Sequence, residues 1–263
     1  MYKLIGTDFD GTLLNDEKKV PEENIEYFKK AKKKGFKIVG VTGRTLESVK
    51  ETLNIQIFDY LILNNGSNIY DVKKKKTIYD KSIPMNTVKE IANFADNYAH
   101  QFSFCTFSSY YIYKNFINQH LSFIQEIKSP EEIKEPISKI NIYLEDQSKI
   151  YEELKKIRYY FDNVKFFIMQ DSGNDRKWIV TIPKELNKKE SLRKLGKELN
   201  ISLEEMIFFG DGLNDLEVIE GVGMGVAMGN ALEEVKERAK EITTSNEEAG
   251  IAHFIKQILE KTE

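Results

Sequence analysis

The chain predicts an α/β protein: a doubly wound, Rossmann-like parallel sheet assembled from both ends of the sequence, with an α+β segment inserted between them. Short apolar runs alternate with amphipathic helical stretches at each end, the pattern of strand–helix–strand crossovers. The middle, roughly Ile83 to Ile182, switches to aromatic strands of alternating character with two helices, as an antiparallel sheet covered on one face would require. The first strand ends in Ile5-Gly6-Thr7-Asp8-Phe9-Asp10-Gly11-Thr12, where two aspartates follow apolar residues and precede a glycine turn.

Taken in order, Leu4–Thr7, Ile38–Val41 and Tyr60–Leu63 read as buried strands, with crossover helices at Glu22–Lys34 and Thr45–Leu53. Asn68–Val72 and Thr77–Asp80 read as hairpin strands around Lys73–Lys76. Val88, Ile91, Ala92, Ala95 and Tyr98 have the three-and-four spacing of an amphipathic helix. Strands follow at Phe102–Phe104, Tyr110–Ile112 and Ile140–Leu144, then a helix marked by Ile150, Leu154, Ile157 and Phe161. Val164–Met169 and Trp178–Ile182 close the segment, joined by the turn-rich Asp171–Asp175. The carboxyl portion resumes with helix Ser191–Leu199, strand Met206–Phe209, helix Asn214–Glu220, strand Gly225–Ala227 and helix Leu232–Ala239.

Open α/β sheets place their ligands at the carboxyl ends of strands, which is where Asp8 and Asp10 stand. Alternate strand residues point the same way, so both can face one small site. Like charges that close call for a cation or a shared proton, so the pair points to a magnesium site, an acid/base couple, or both.

Composition excludes several classes. At 263 residues, 41% hydrophobic and net charge −3, the chain can bury a real core and is not a basic nucleic-acid binder. The run Lys29–Lys34 suits the negative end of a helix closed by Gly35, and Lys73–Lys76 reads as an exposed turn. No apolar run reaches membrane-span length, and Met1-Tyr2-Lys3 leads into a strand rather than a signal peptide. A single cysteine, Cys105, lies in an apolar-aromatic stretch, which fits a buried thiol and a cytoplasmic setting. His100, His120 and His253 are isolated and lack metal-ligand spacing. Gly221-Val222-Gly223-Met224-Gly225-Val226 misses the third glycine of a dinucleotide loop, and no nucleoside triphosphate loop is present.

Asp-x-Asp-Gly-Thr at the end of a first strand resembles the opening motif of the haloacid dehalogenase superfamily of phosphohydrolases. Three further motifs follow in the family's order: Val39–Arg44 with Thr42 at a strand tip, Asn187-Lys188 at a helix start, and Gly210-Asp211-Gly212-Leu213-Asn214-Asp215 after an apolar strand. Gly225–Ala231 and Asn246–Ala252 resemble the Cof-type phosphatases, and the middle segment resembles the large C2 cap. Lys189 stands where the family usually has glycine after the motif lysine; Lys188 keeps the register. The expected division is a core of residues 1–82 and 183–263 with a cap of residues 83–182, bracketed by Pro84 and Pro183.

The resemblance implies a magnesium-dependent phosphatase acting on a small phosphorylated metabolite, a sugar phosphate or phosphorylated cofactor, with neither nucleic acid nor membrane as partner. Asp8 would be the nucleophile that forms an aspartyl phosphate, and Asp10 the general acid and base. Mg²⁺ would be held by Asp8, the Asp10 carbonyl and Asp211, with Asp215 orienting the ligands. The Phe9 and Gly43 amides, Thr42, Lys188 and Asn214 would hold phosphate oxygens. Two alternatives share the scaffold: a phosphomutase of the phosphomannomutase type, and a non-catalytic phosphate-ligand binding protein.

Overall fold

A computed structural model describes residues 2–96, 101–113, 124–170 and 176–260. Tyr98, His100, His120 and the Asp171–Asp175 turn lie outside the described residues. The chain opens with β1 (Leu4–Thr7), α1 (Glu22–Lys33), β2 (Lys37–Val41), α2 (Leu46–Thr52), β3 (Tyr60–Leu63), β4 (Asn68–Asp71) and β5 (Lys76–Asp80). The middle contributes α3 (Met85–Asp96), β6 (Gln101–Cys105), β7 (Tyr110–Tyr113), β8 (Ile124–Ile127), β9 (Lys139–Tyr143), α4 (Ile150–Tyr160), β10 (Val164–Gln170) and β11 (Lys177–Pro183). Then come α5 (Lys188–Leu199), β12 (Met206–Gly210), α6 (Leu216–Gly221), β13 (Met224–Ala227), α7 (Glu233–Arg238), β14 (Glu241–Ile242) and α8 (Gly250–Glu260).

The terminal portions share one 8-stranded sheet in the order β14-β13-β12-β1-β2-β3-β4-β5. From β14 to β3 every pairing is parallel. β1 sits centrally because the chain leaves it toward β2 and returns from the far end of the sequence at β12 on its other side. That reversal opens a crevice at the carboxyl ends of β1, β2 and β12. Phe9 fills the space beneath it, stacked on Phe58 at 5.4 Å, and Gly40 leaves room for its ring: a Cβ there would meet Phe9 at 2.6 Å.

The sheet is mixed rather than parallel throughout, since β4 and β5 run antiparallel at one edge. The cause is local. Asn64, Asn65 and Gly66 take positive φ angles of 49, 55 and 108° in succession, turning the chain straight back after β3 with no room for a crossover helix.

The middle elements form a 6-stranded sheet, β10-β11-β9-β6-β7-β8. Its apolar cluster joins Phe102, Phe104, Ile140, Ile142, Phe166 and Ile179 to Val88 and Ile91 of α3 and Leu154 and Ile157 of α4, so both helices cover one face. Pairing is antiparallel except between β7 and β8, which departs from the expected all-antiparallel sheet. The β8 sequence Ile-Gln-Glu-Ile is half-exposed and too polar to signal a strand, as is the exposed two-residue β14. Helix α8 was not anticipated, although it begins inside the Asn246–Ala252 signature and buries Ile251, Phe254 and Ile255. Among the described residues no helix is long and apolar enough to cross a membrane.

Candidate active site

Asp8 directly follows β1, Thr42 follows β2 and Asp211 follows β12, so three neighbouring strands deliver their next residues to one crevice. Asp8, Asp211 and Asp215 each offer a carboxylate oxygen, and these oxygens lie within 4.8 Å of one another. Lys188, on the first turn of α5, donates from Nζ to Asp8 Oδ1 and to Asp215 Oδ1, both at 2.6 Å. Asn187 positions it by capping the helix, its side chain accepting from the Glu190 amide at 2.7 Å. Lys189 is turned elsewhere, its stem lying over Gly221.

The electrostatics of this cluster are unbalanced. Asp8 is 7% exposed, Asp215 0% and Lys188 2%, so two buried carboxylates share one buried ammonium while Asp211 adds a third negative charge beside them. Burial and the Asp215 charge push the Asp8 carboxyl well above its usual range, against the pull of Lys188. Burial and Asp215 likewise push Asp211 up to about 7, although Thr12 Oγ1 donates to its Oδ1 at 2.7 Å. Burial works against charge on Lys188, but Asp215 and Asp8 outweigh it and hold the ammonium above its ordinary value. An all-oxygen donor set with excess negative charge suits a hard divalent cation such as Mg²⁺. Asp215 already has both oxygens engaged, Oδ1 by Lys188 and Oδ2 by the Asp211 and Gly212 amides at 3.3 Å each, an orienting arrangement.

Asp10 is separate from that cluster. Arg44 grips its carboxylate with two parallel bonds, Nε to Oδ2 at 2.8 Å and Nη2 to Oδ1 at 2.6 Å, and Lys18 reaches Oδ1 at 3.2 Å. Burial alone would raise this carboxyl; the Arg44 fork, helped by Lys18, outweighs burial and lowers it. Arg44 is itself braced by donating from Nη1 to Thr52 Oγ1 at 2.7 Å. Arg44, Lys18 and Thr12 were missed by sequence reasoning. The available signal was a cation directly behind the Thr42-Gly43 strand tip, facing an unpartnered Asp10.

Thr42 is buried at the tip of β2, its Oγ1 accepting from the Arg44 amide at 3.2 Å. The Phe9 and Gly43 amides donate to no group among the described residues, leaving two backbone donors at the strand tips. Asn214 is half-buried beside Gly212 and makes no hydrogen bond among the described residues, so it stands near the cluster without being joined to it. The two carboxyl-terminal signatures act together on the first loop: Asn230 donates to the Gly11 carbonyl at 2.7 Å, and Asn246 to the Leu14 carbonyl at 2.9 Å. Gly11, at φ 78°, leaves no room for a side chain against the Asp211 carboxylate.

This fold, with an acidic crevice at strand tips and a lysine bridging two of its carboxylates, defines a class of phosphate-handling hydrolases. The chain belongs to the haloacid dehalogenase-like hydrolases, whose family pattern it matches over residues 5–255. It is 31% identical to YxeH of Bacillus subtilis, over 98% of this chain and 99% of that protein. It is 30% identical to the 5-amino-6-(5-phospho-D-ribitylamino)uracil phosphatase YcsE of the same organism, over 97% and 94% of the two chains. Among solved structures, a haloacid dehalogenase-like hydrolase from Bacteroides thetaiotaomicron superposes with a TM-score of 0.84 at 27% identity, covering 98% of this chain and 100% of that one. A HAD subclass IIB sugar phosphatase superposes at 0.82 with 25% identity, covering 97% and 98%. The chain is thus a phosphoric monoester hydrolase by class.

Proposed function

We propose that the chain hydrolyses small phosphomonoesters with Mg²⁺, through an aspartyl phosphate on Asp8. The observation that carries this reading is the Lys188 bridge. A carboxylate stands at a strand tip with one oxygen fixed at 2.6 Å from a buried ammonium, leaving its other oxygen for phosphorus. Asp8, Asp211 and the Asp10 carbonyl would hold Mg²⁺, whose charge would offset that of the nucleophile and of the phosphoryl oxygens.

The chain's own residues then do the rest. Thr42, the free Phe9 and Gly43 amides, Lys188 and Asn214 hold phosphoryl oxygens, so that Asp8 lies in line with the ester bond. Asp8 Oδ forms the new bond to phosphorus while the ester P–O bond breaks, and the leaving oxygen takes a proton from Asp10. Asp10, ionised again, takes a proton from the water that attacks the aspartyl phosphate, freeing Asp8 and inorganic phosphate. Arg44 holds Asp10 in the ionised form that the second step requires; approach of an anionic ester raises the Asp10 carboxyl and favours the protonated form for the first.

Residues 83–182 serve as a cap over a core of residues 1–82 and 183–263, the cap excluding water and choosing the leaving group. The supporting observation is the separate apolar cluster around the second sheet. The leading substrates are sugar phosphates, then phosphorylated cofactors; relatives that act on a sugar phosphate and on a phosphoribitylamino uracil support that order. The test is phosphate release across a panel of phosphomonoesters with Mg²⁺ and with chelator. Turnover that chelator abolishes is expected, and a folded protein inactive on every ester with Mg²⁺ present would overturn the reading.

A further inference from the structure

The second sheet buries one face under α3 and α4 and turns the other toward the crevice. Lys139 settles the orientation, because its Nζ donates to the Gly43 carbonyl, 2.5 Å away, on the loop behind Thr42. Strand alternation puts Asn141 and Tyr143 on the same face, spaced about 7 Å apart along β9, while Ile140 and Ile142 enter the helix-covered cluster. Neighbouring strands add Ser103 and Tyr110. The Asn141 amide nitrogen donates to Ser103 Oγ at 2.8 Å, Ser103 donates to the Tyr110 hydroxyl at 2.6 Å, and the Tyr110 and Tyr143 hydroxyls are 2.7 Å apart. The result is a polar stripe leading away from the phosphate-holding loop.

Two members of this stripe are incompletely satisfied. Lys139 is 7% exposed and forms no ion pair among the described residues; its neighbours are a carbonyl and the Cys105 thiol, both neutral. A buried ammonium without an anion is costly, and joining two parts of a chain would need only a neutral donor. Asn141 is 2% exposed and its Oδ1 has no hydrogen-bond partner among the described residues. Turning the amide over would only exchange which end is orphaned. A ligand carrying both an anion and hydroxyl groups satisfies both residues at once.

We propose that this face is a leaving-group subsite for phosphorylated polyols bearing a second anion, a carboxylate or another phosphate. Lys139 pairs with that anion, and Asn141, Ser103, Tyr110 and Tyr143 hydrogen-bond the hydroxyls. The inference rests on the phosphatase reading and narrows its substrate. Burial raises the Tyr110 hydroxyl well above its usual range and Tyr143 to about 12, so both remain neutral donors throughout ordinary pH.

The test uses matched esters that differ only in the second anion: 6-phosphogluconate against sorbitol 6-phosphate, and 3-phosphoglycerate against glycerol 3-phosphate. Wild-type protein with Mg²⁺ is expected to favour the acid of each pair by about tenfold or more in kcat/KM. Lys139→Met should collapse that ratio toward one, and Lys139→Arg should keep most of it. A ratio within one protein cancels any general loss of activity. A wild-type ratio of one or below overturns the proposal, as does a ratio that Lys139→Met leaves intact. Turnover of p-nitrophenyl phosphate tests the phosphatase reading separately. Calorimetric binding of the same pairs reads the preference even without turnover.

Discussion

Asp8 and Asp10 are two residues apart in sequence yet occupy opposite electrostatic settings. Asp8 shares a buried ammonium with Asp215 and is pushed toward protonation, whereas Asp10 is clamped by a guanidinium and held ionised. Asp8→Asn should therefore abolish turnover, by about a thousandfold or more, without unfolding the protein, since the amide is a far weaker nucleophile. Mass spectrometry after borohydride trapping should find label on Asp8 of the wild type and none on the variant. Arg44→Ala should lower kcat about ten- to a hundredfold on alkyl phosphates and p-nitrophenyl phosphate alike, with aspartyl phosphate accumulating, because Asp10 loses the guanidinium that holds it ionised for the attack of water on an intermediate common to both. A fall confined to alkyl phosphates would place Arg44 in the leaving-group step instead. Lys188→Met strands two buried carboxylates and should cost about 3–5 kcal/mol of stability in Mg²⁺-free buffer, read from the urea midpoint.

The decisive elements are turns rather than helices. The loop from Gly11 to Leu14 is held from the far end of the chain by Asn230 and Asn246, which is why two distant signatures accompany the first motif. Gly11→Ala forces a side chain into a left-handed backbone position and against the Asp211 carboxylate. It should cost about 1–3 kcal/mol and weaken Mg²⁺ binding as well. Urea unfolding and Mg²⁺ titration by calorimetry would read both; a stable variant with unchanged Mg²⁺ affinity would contradict this account of the loop.

Across the whole molecule, the two sheets meet at named contacts. Lys139 reaches Gly43, Asn64 donates to the Thr106 carbonyl at 2.9 Å, and the Leu46 amide donates to the Phe107 carbonyl at 3.0 Å. The chain's single tryptophan, Trp178, stacks on Tyr143 at 6.1 Å, on the strand pair bordering the crevice-facing side. Adding Mg²⁺ with vanadate should therefore shift its fluorescence, and an unchanged spectrum at saturation would argue against a cap that responds to the site. Mg²⁺ at about a hundred times its Kd should also stabilise the fold by about 2.7 kcal/mol, seen as a rise in Tm that chelator reverses.

Much of the fold and of the candidate site's geometry was legible in the sequence, because the residues proposed to carry chemistry sit at strand tips, and strand tips are written locally. An apolar run followed by Asp-x-Asp-Gly, by Thr-Gly, or by Gly-Asp predicts both the strand and the direction in which it delivers its side chain. That both ends of the chain share one sheet followed from the two crossover patterns flanking a different middle; that β1 pairs with β12 came from the structure. What only the tertiary structure decided lies between segments distant along the chain. Arg44 looks like any surface cation until β1 and β2 align side by side and bring its guanidinium onto Asp10. Lys139 stands just ahead of the Ile140–Leu144 strand like any charged flanking residue, and nothing local shows that folding buries it against Gly43 with no ion-pair partner among the described residues. Charge balance is a property of three-dimensional neighbourhoods, and sequence spacing alone does not record it.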